Sequence, residues 1–554
     1  MKQLSKTFVG IAAALGLASC TATGSPSGSD GEGGSTSDAH APGVGGTTGS
    51  GVGGGGATLG SGGTTGTAGS TGAGGNIGSG GSGGRGGTAG ASGGSPAGIG
   101  GRGSGGQPGT GGNSGVGGSG VGGAEGNLPT GVTHLFPPPG GQGICPDPPL
   151  RITFSGAPTL GTSGRVQVFN AAGTVVASVD LAAATVTDTI GGTAYTLLRP
   201  VYIDGNDAVI YLKTKALGYG QTYYVIVDSG AIRPPGGGTL AITASTTWRF
   251  TTATAAPSNV SALTVALDGS GQFCTVQGAL DALPANNTAA SLITINTGSY
   301  HEIIHMSAKT NVTLHGQDRK QTIILGTNNN TQQGTNASTI NRSLVGFDGA
   351  NGLVIENLTI HNLTPQNGSQ AEALRLQRCD KCIVRDADIL SLQDTLLWEG
   401  RIYADNCYIA GNVDYVWGGG VAYFNNCEIR TVGRSGVIVQ ARNAAGAYGY
   451  VFVDSRITAD AAATSNNLAR IDATVYPGSH VAYINCQMTN VSAVGWMLTA
   501  GSPTAALRFW EYQSTDAAGN ALNTGGRLAG LTPITASQAA MMRTPTVVLA
   551  GWQP

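Results

Sequence analysis

The chain has 554 residues, of which 95 are glycine, and its formal net charge is −2 with only 10% of residues charged. This length is sufficient for more than one domain. The low charge and the lack of a basic stripe exclude a protein that binds nucleic acid through its phosphates.

The first 20 residues have the pattern of a secretory signal peptide. Lys2 and Lys6 give a positive start, residues 8–17 are apolar, and Leu-Ala-Ser-Cys at 17–20 resembles a bacterial lipobox. The resemblance implies cleavage before Cys20 and a lipid anchor on its sulfur. We therefore expect export and attachment to the outer membrane or cell surface through this lipid. Plain secretion is the alternative.

Residues 21–132 are rich in Gly, Ser and Thr and nearly free of large apolar side chains. Such a segment cannot bury enough apolar surface to offset its chain entropy, so it is predicted to be a disordered linker.

Residues 138–253 contain short apolar runs separated by turn residues, for example at 150–154, 165–169, 207–212, 223–227 and 247–250. This spacing predicts an all-β sandwich. The segments at 217–225 and 248–252 resemble bacterial Ig-like domains, which implies either a spacer or a weak glycan-binding module.

A repeat then runs through the second half of the chain. Six similar segments begin at residues 356, 385, 405, 425, 453 and 484, with offsets of 29, 20, 20, 28 and 31. In each segment, small or apolar residues alternate with polar ones, as a half-buried strand requires. The pattern predicts stacked parallel strands that bury one continuous core.

Asp394 and Asp414 are separated by 20 residues, the length of one repeat. Stacking in register would place the two carboxylates on neighbouring strands, roughly 5 Å apart. Carboxylates that close cannot both ionise freely, so one can be a nucleophile while the other holds a proton. The alternative is a polar ladder without catalytic function.

Several motifs from residue 262 onward resemble those of pectin methylesterases. They are Thr-Gly-Ser-Tyr-His-Glu at 297–302, Gln-Ala-Glu-Ala-Leu at 370–374, Gln-Asp-Thr-Leu at 393–396 and Gly-Asn-Val-Asp-Tyr-Val-Trp-Gly at 411–418. The resemblance implies that residues 262–554 form a right-handed parallel β-helix. It also implies hydrolysis of the C6 methyl esters of homogalacturonan, with methyl-esterified pectin as the partner.

The same resemblance implies roles for individual residues. Asp414 would be the nucleophile and Asp394 the general acid and then base, while Gln370 and Gln393 would donate amide hydrogens to the oxyanion. The family arginine that orients the nucleophile would be Arg470.

Arg442 is a rival for the role of that arginine. The family tryptophan two residues beyond the arginine is replaced here by Asp472, which puts sugar affinity in doubt. Ser343, Tyr415, Trp417 and Trp398 are the candidate substrate-binding residues, the aromatic ones as stacking faces for sugar.

No metal or other cofactor is expected, and we expect a monomer. Three of the eight cysteines, Cys407, Cys427 and Cys486, share one repeat position and should point inward as small apolar residues. Cys379 and Cys382 have the spacing of a redox or zinc motif, but no second pair or histidine cluster completes a metal site. A disulfide is possible in an oxidising compartment, with its connectivity open.

Three other functions remain open. A pectin lyase or polygalacturonase on the same fold would need a cluster of calcium-binding carboxylates or different sequence motifs. A surface protein could bind polysaccharide without turnover, or the enzyme could act on another ester.

Overall fold

The computed structural model describes residues 128–528, 531 and 534–554. The signal peptide, Cys20 and nearly all of the predicted linker lie outside the described residues. Among the described residues no helix is long and apolar enough to cross a membrane.

The N-terminal part of the described chain is a β-sandwich of two main sheets. Its first strand begins at Val132, six residues before the predicted start at 138. The strands are β1 (Val132–Phe136), β2 (Gly141–Ile144), β3 (Leu150–Phe154), β4 (Thr159–Leu160), β5 (Arg165–Asn170), β6 (Val175–Asp180), β7 (Thr185–Ile190), β8 (Thr193–Leu198), β9 (Val201–Asp204), β10 (Asp207–Ile210), β11 (Thr222–Val227), β12 (Ile232–Arg233) and β13 (Arg249–Thr252).

One sheet has the order β1-β3-β10-β9 and the other β2-β13-β11-β5-β6. Alternate residues of β3 and β11 point into a single apolar core between them, as half-buried strands require. The antiparallel pair β7 and β8, here called the sandwich hairpin, belongs to neither sheet.

The second part contains 24 strands and four short α-helices. The strands are β14 (Ala262–Val265), β15 (Ser291–Ile295), β16 (Gly298–His301), β17 (Ile304–Ser307), β18 (Val312–Gly316), β19 (Thr322–Gly326), β20 (Val345–Asp348), β21 (Val354–Glu356), β22 (Thr359–Asn362), β23 (Leu374–Arg385), β24 (Asp388–Leu390), β25 (Leu396–Asp405), β26 (Tyr408–Gly411), β27 (Val413–Gly418), β28 (Val421–Asn425), β29 (Glu428–Thr431), β30 (Val437–Ala441), β31 (Tyr450–Val453), β32 (Arg456–Ala459), β33 (Asn467–Ile471), β34 (His480–Ile484), β35 (Gln487–Met488), β36 (Trp496–Leu498) and β37 (Arg508–Tyr512). The helices are α1 (Val276–Ala282), α2 (Asn330–Gln333), α3 (Ala536–Met542) and α4 (Pro545–Val548), and a 3₁₀ turn spans Gly334–Asn336.

These strands form three parallel ladders. The first follows the order β16-β19-β22-β24-β26-β29-β32-β35. The second runs from β14 through β18, β21 and β28 to β37, and the third from β17 through β20, β27 and β30 to β36. The long strands β23 and β25 take part in both of the latter ladders. All of these pairings are parallel, and the ladders enclose one apolar core, so this part is a parallel β-helix.

The strand register confirms the predicted repeat. In the first ladder Thr359 pairs with Asp388, Asp388 with Tyr408 and Tyr408 with Glu428, which reproduces the offsets of 29, 20 and 20. The residue that opens the bend in each of the six segments has a positive φ between 49° and 57°, and all six are Asn or Asp: Asn357, Asp386, Asn406, Asn426, Asp454 and Asn485. These residue types tolerate left-handed backbone better than other non-glycine residues.

The interior of the β-helix contains columns of similar side chains. Cys407, Cys427 and Cys486 are buried free thiols, as predicted, and Cys379 and Cys382 are also buried and unpaired. Aromatic rings form a second column, with ring centroids 4.4 to 6.2 Å apart between successive members: Trp398, Phe424, Phe452, Tyr483, Trp496 and Phe509. Residues one coil apart therefore pack directly against each other.

Helix α1 lies at the joint between the sandwich and the β-helix. A disulfide joins Cys145 to Cys274, across 129 residues of sequence. Asp147 of the sandwich accepts hydrogen bonds from the backbone N–H groups of Cys274 (2.9 Å) and Thr275 (3.0 Å). Glu302 of the β-helix accepts those of Val276 and Gln277, the first two residues of α1, at 2.9 and 3.0 Å. Burial raises the pKa of Asp147 to about 6 and that of Glu302 to about 8.

Candidate active site

The β-helix register stacks Asp394 on Asp414. Gln393 pairs with Val413 and Leu396 with Val416, so each residue between them lies beside the residue 20 positions later. Neighbouring strands are about 4.8 Å apart. Both aspartates have left-handed backbone, with φ of 63° and 49°. The predicted juxtaposition of the two residues is present in the fold.

Buried side-chain hydrogen bonds hold the two bends that carry these aspartates. The Thr395 hydroxyl donates to the carbonyl of Ala410 at 3.0 Å, which ties the first bend to the next coil. The Asn412 amide donates to the carbonyls of Val432 (2.8 Å) and Arg434 (2.6 Å), which ties the second bend to the coil after it. Each aspartate thus stands next to a residue that is anchored in the neighbouring coil.

Side chains from two later strands hold the Asp414 carboxyl group. Arg470 of β33 donates from Nε to Oδ1 of Asp414 at 2.7 Å and from Nη2 to Oδ2. Gln440 of β30 donates to Oδ2 at 3.3 Å. The hydrogen bond to Asp414 raises the pKa of Arg470 above its ordinary value. A two-pronged guanidinium contact of this kind fixes both the charge and the orientation of the carboxylate.

Arg442, the rival arginine, lies elsewhere in the site. Its Nε and Nη2 donate to Oε1 of Gln440 at 3.0 and 2.6 Å, and its guanidinium lies 4.8 Å from the centroid of the Trp417 ring. It therefore holds Gln440, whose amide in turn reaches Asp414.

The environment of Asp394 favours a protonated carboxyl group. Burial is the largest cause that raises the pKa of Asp394 well above its usual range, and the charges of Glu372 and Asp414 raise it further. Arg342 and Arg442 act in the opposite direction. The two stacked aspartates therefore differ in the way that one acid and one nucleophile require.

Arg342 and Glu372 were not singled out from the sequence. Nη2 of Arg342 donates to Asp394 Oδ2 at 3.1 Å, and the same guanidinium contacts both oxygens of Glu372, at distances of 2.7 to 3.1 Å. Arg342 lies 52 residues from Asp394, in an irregular segment outside the repeat. Glu372 lies within the motif at 370–374, and this position is the one feature of the sequence that could have indicated a role for it. No comparable feature marks Arg342.

Gln370 and Gln393 lie on adjacent coils beside the aspartates. The backbone N–H of Ala371 donates to the carbonyl of Gln393 at 3.1 Å, so the two glutamines follow each other along the ladder. Both side chains are half-buried. Oε1 of Gln370 accepts from Ser369 at 3.2 Å. Within the described part of the chain, neither side-chain NH₂ group donates a hydrogen bond, so both are available to a ligand.

Comparison with known proteins identifies the β-helical part of the chain. The family model described as Pectinesterase matches residues 262–551, more than half of the sequence. The chain belongs to the pectinesterase family. A pectinesterase from Petunia integrifolia is 40% identical over 168 residues, which cover 30% of this chain and 44% of that protein. One from Daucus carota is 31% identical over 307 residues, which cover 52% of this chain and 92% of that protein.

Among solved structures, a pectin methylesterase from carrot is 29% identical and covers 52% of this chain and 93% of its own, with a TM-score of 0.48. The chain spans only 44% to 64% of the length of three of these plant relatives, namely the pectinesterase from Petunia integrifolia and two from Arabidopsis thaliana.

Three of the four candidate substrate-binding residues cannot contact a sugar. Trp398 and Tyr415 are fully buried in the core of the β-helix. Trp398 stacks on Phe424, and the Tyr415 hydroxyl lies 3.1 Å from that of Thr431. Ser343 is also fully buried. The prediction was wrong because these three side chains pack inside the fold, which the motif resemblance alone did not resolve.

Trp417 differs from these three residues. It is 6% exposed, and the guanidinium groups of Arg342 and Arg442 lie 5.6 and 4.8 Å from its ring centroid. Cation–π contacts with both arginines place Trp417 among the charged groups of the site. Asp472 is partly exposed, and its carboxylate accepts a hydrogen bond from the backbone N–H of Thr474 at 3.0 Å.

Proposed function

We propose that this chain is a pectin methylesterase that hydrolyses the C6 methyl esters of homogalacturonan to free carboxylates and methanol. The observation that carries the proposal is the pair of stacked aspartates in opposite environments, Asp414 held by Arg470 and Asp394 with a strongly raised pKa. The names of the related proteins, which are pectinesterases, support the choice of substrate.

In the first half of the reaction, a carboxylate oxygen of Asp414 attacks the ester carbonyl and forms a tetrahedral oxyanion. The side-chain NH₂ groups of Gln370 and Gln393 donate hydrogen bonds to this oxyanion. As the C–O bond to the methoxy group breaks, Asp394 gives its proton to the leaving oxygen. The products of this half are methanol and an anhydride between Asp414 and the galacturonate.

In the second half, Asp394 is ionised and takes a proton from a water molecule as the water attacks the galacturonyl carbonyl of the anhydride. The bond to Asp414 then breaks and regenerates its carboxylate, while Asp394 again carries the proton. One water is consumed, and the net products are methanol and galacturonic acid, which ionises in solution. These steps need only groups that the site supplies.

The remaining predictions concern the region before the β-helix. We propose that the protein is exported and anchored to the outer membrane or cell surface through a lipid on Cys20, with the predicted linker ending before the first strand at Val132. Localisation of the full chain in cell fractions tests this proposal, and recovery with the inner membrane or free in the medium would contradict it.

The proposed activity is tested by methanol release from highly methylated pectin, with EDTA present, by the chain that includes the sandwich. The Asp414→Ala variant should lose activity by a factor on the order of 10⁴ or more. Asp386→Asn is the matched control, because the equivalent position of other coils is Asn406 or Asn426, and it should retain full activity. A folded parent protein that releases no methanol would refute the proposal and favour a binding protein or another ester substrate.

A further inference from the structure

Arg342 connects a third carboxylate to the catalytic pair. Its guanidinium donates to both oxygens of Glu372, from Nε at 2.9 and 3.1 Å and from Nη2 at 2.7 Å, and Nη2 also reaches Asp394 at 3.1 Å. The Glu372 side chain is completely buried and that of Arg342 is 12% exposed. Contacts this well shielded from water are much stronger than surface ion pairs.

Five charged groups surround Asp394. Glu372 precedes β23, Arg342 precedes β20, Asp414 lies in the next coil, Arg442 follows β30 and Arg470 belongs to β33. Arg342 is the one of these groups that hydrogen-bonds Asp394 directly. Because its contact with Glu372 has more hydrogen bonds than its contact with Asp394, Arg342 holds the Asp394 carboxyl group without fully neutralising a charge on it.

We propose that Arg342 and Glu372 form a positioning pair that fixes the orientation of the Asp394 carboxyl group and controls its protonation. The inference deepens the proposed function and rests on it for its catalytic meaning. Glu372 keeps Arg342 engaged, so that Asp394 retains its proton until methanol departs. Arg342 limits how strongly the proton is held, so that it can be transferred.

The backbone on both sides of Arg342 is fixed by one buried asparagine. Asn328 donates from Nδ2 to the carbonyl of Asn341 at 3.0 Å and to that of Ser343 at 2.7 Å. The residues before and after Arg342 are thus tied to the same side chain. This arrangement explains how a residue in an irregular segment can hold a defined position in the site.

The sandwich hairpin supports this arrangement from the other side. Gln333 donates to Oδ1 of Asn328 at 2.7 Å and to the carbonyl of Thr196 at 2.9 Å, and its own Oε1 accepts from the Thr196 N–H at 2.9 Å. The Tyr195 hydroxyl donates to the carbonyl of Ile340 at 3.4 Å. A chain of hydrogen bonds therefore runs from the sandwich through Gln333 and Asn328 to the backbone beside Arg342.

The test compares the pH dependence of kcat for Glu372→Gln and Arg342→Gln. Removing the negative charge of Glu372 should stabilise ionised Asp394 and move the alkaline limb of the profile down by roughly one pH unit. Removing the positive charge of Arg342 should move this limb up by a similar amount, and kcat should fall roughly 10- to 100-fold because the acid is misplaced. Shifts of opposite sign are not expected from loss of structure alone.

Two further variants separate charge from geometry. Arg342→Lys keeps the charge but loses the planar fork, so it should restore the position of the alkaline limb and leave kcat low. Arg385→Gln, which breaks the more exposed pair of Arg385 with Glu356, is the control and should change neither quantity. Equal shifts for Glu372→Gln and Arg342→Gln, or no shift in either variant, would overturn the proposal.

A measurement without substrate distinguishes this proposal from the proposed function. Carbon-13 NMR of aspartate-labelled protein follows the titration of Asp394, assigned by the signal that disappears in Asp394→Asn. The midpoint should move down in Glu372→Gln and up in Arg342→Gln even if the parent releases no methanol. Unchanged midpoints in folded variants of an active parent would refute the positioning pair and leave the esterase activity intact.

Discussion

The β-helix and the β-sandwich are both built from strands, but they bring different residues together. In the β-helix a residue lies beside the equivalent residue of the next coil, so Asp394 meets Asp414 as Tyr408 meets Glu428. In the sandwich most strands pair antiparallel, and the register reverses at each turn. Equivalent positions therefore do not stack there. A column of like side chains, one from each coil, is a natural product of the first architecture.

Coil length sharpens this difference. The steps from Asp388 to Tyr408 and from Tyr408 to Glu428 are both 20 residues, whereas those on either side are 28 or more. Two successive coils without insertions keep the bends in register as well as the strands. The aspartate pair lies in these two shortest coils, while Arg342 and Arg470 come from regions where the spacing is longer. The shortest coils thus supply the two acids, and the regions of longer spacing supply the cations.

The largest effect is expected when a polar side chain provided by the coils of the β-helix is removed. Gln393→Ala should lower kcat roughly 10²- to 10³-fold, because one oxyanion donor is lost. KM should change little, and Gln370→Ala should behave similarly. Gln487→Ala, in a later coil away from the site, is the control for methanol release. A kcat near that of the parent in both glutamine variants would show that the oxyanion is stabilised by other groups.

The next largest effect is expected from the disulfide that joins the sandwich to the β-helix. Replacing Cys145 and Cys274 by serine should reduce the free energy of unfolding by roughly 2–4 kcal/mol, because the bond closes a loop of 129 residues in the unfolded chain. Thermal unfolding measures the change. Reductant should lower the Tm of the parent toward that of the double variant and leave the variant itself unchanged. Equal Tm values for parent and variant without reductant would contradict this expectation.

Replacing the cation Arg470 of β33 should have a smaller effect than removing an oxyanion donor. Arg470→Lys retains the charge but loses the two-pronged contact with Asp414, so kcat should fall roughly 10- to 100-fold, the equivalent of a lost hydrogen bond to a charged group. Arg430→Lys, whose ion pair with Asp460 lies in another ladder, is the control. Full activity in Arg470→Lys would mean that charge alone is sufficient at this position.

The last prediction concerns pH and the joint at α1. The native protein keeps protons on Asp147 and Glu302, whose pKa values are raised to about 6 and about 8, at pH values where the unfolded chain has released them. The free energy of unfolding should therefore fall as the pH rises from about 4 to about 8, by several kcal/mol in total, because each pH unit between the folded and unfolded pKa values corresponds to about 1.4 kcal/mol. Denaturant titrations at several pH values give the free energy of unfolding as a function of pH, and this dependence should be weaker for Glu302→Gln than for the parent. Glu399→Gln is the control. A stronger dependence on pH in Glu302→Gln would disprove the assignment.

Much of the β-helix could be predicted from the sequence because its repeat is local. The segment spacing gave the strand register, and this register gave the contact between Asp394 and Asp414. The inward position of Cys407 and Cys427 followed from the same alternation. The error at Tyr415 and Trp398 has the same origin, because a motif names residues but does not say which face of a strand each occupies.

The rest could not be predicted because it depends on contacts between distant parts of the chain. Arg342 reaches Asp394 across 52 residues through an irregular segment that has no period. The sandwich hairpin contacts Gln333 across 137 residues. The pairing of Cys145 with Cys274 required knowledge of how the sandwich meets the β-helix. No local pattern encodes these distances.

The aromatic column inside the β-helix gives the protein an intrinsic spectroscopic probe of its coils. Six rings with centroids 4.4 to 6.2 Å apart, two of them indoles, are close enough for their electronic transitions to couple. Near-ultraviolet circular dichroism from this column would register the loss of a single coil, whereas the far-ultraviolet signal averages over all strands. Partial unwinding from the C-terminal end, where Trp496 and Phe509 lie, could thus be followed without any label.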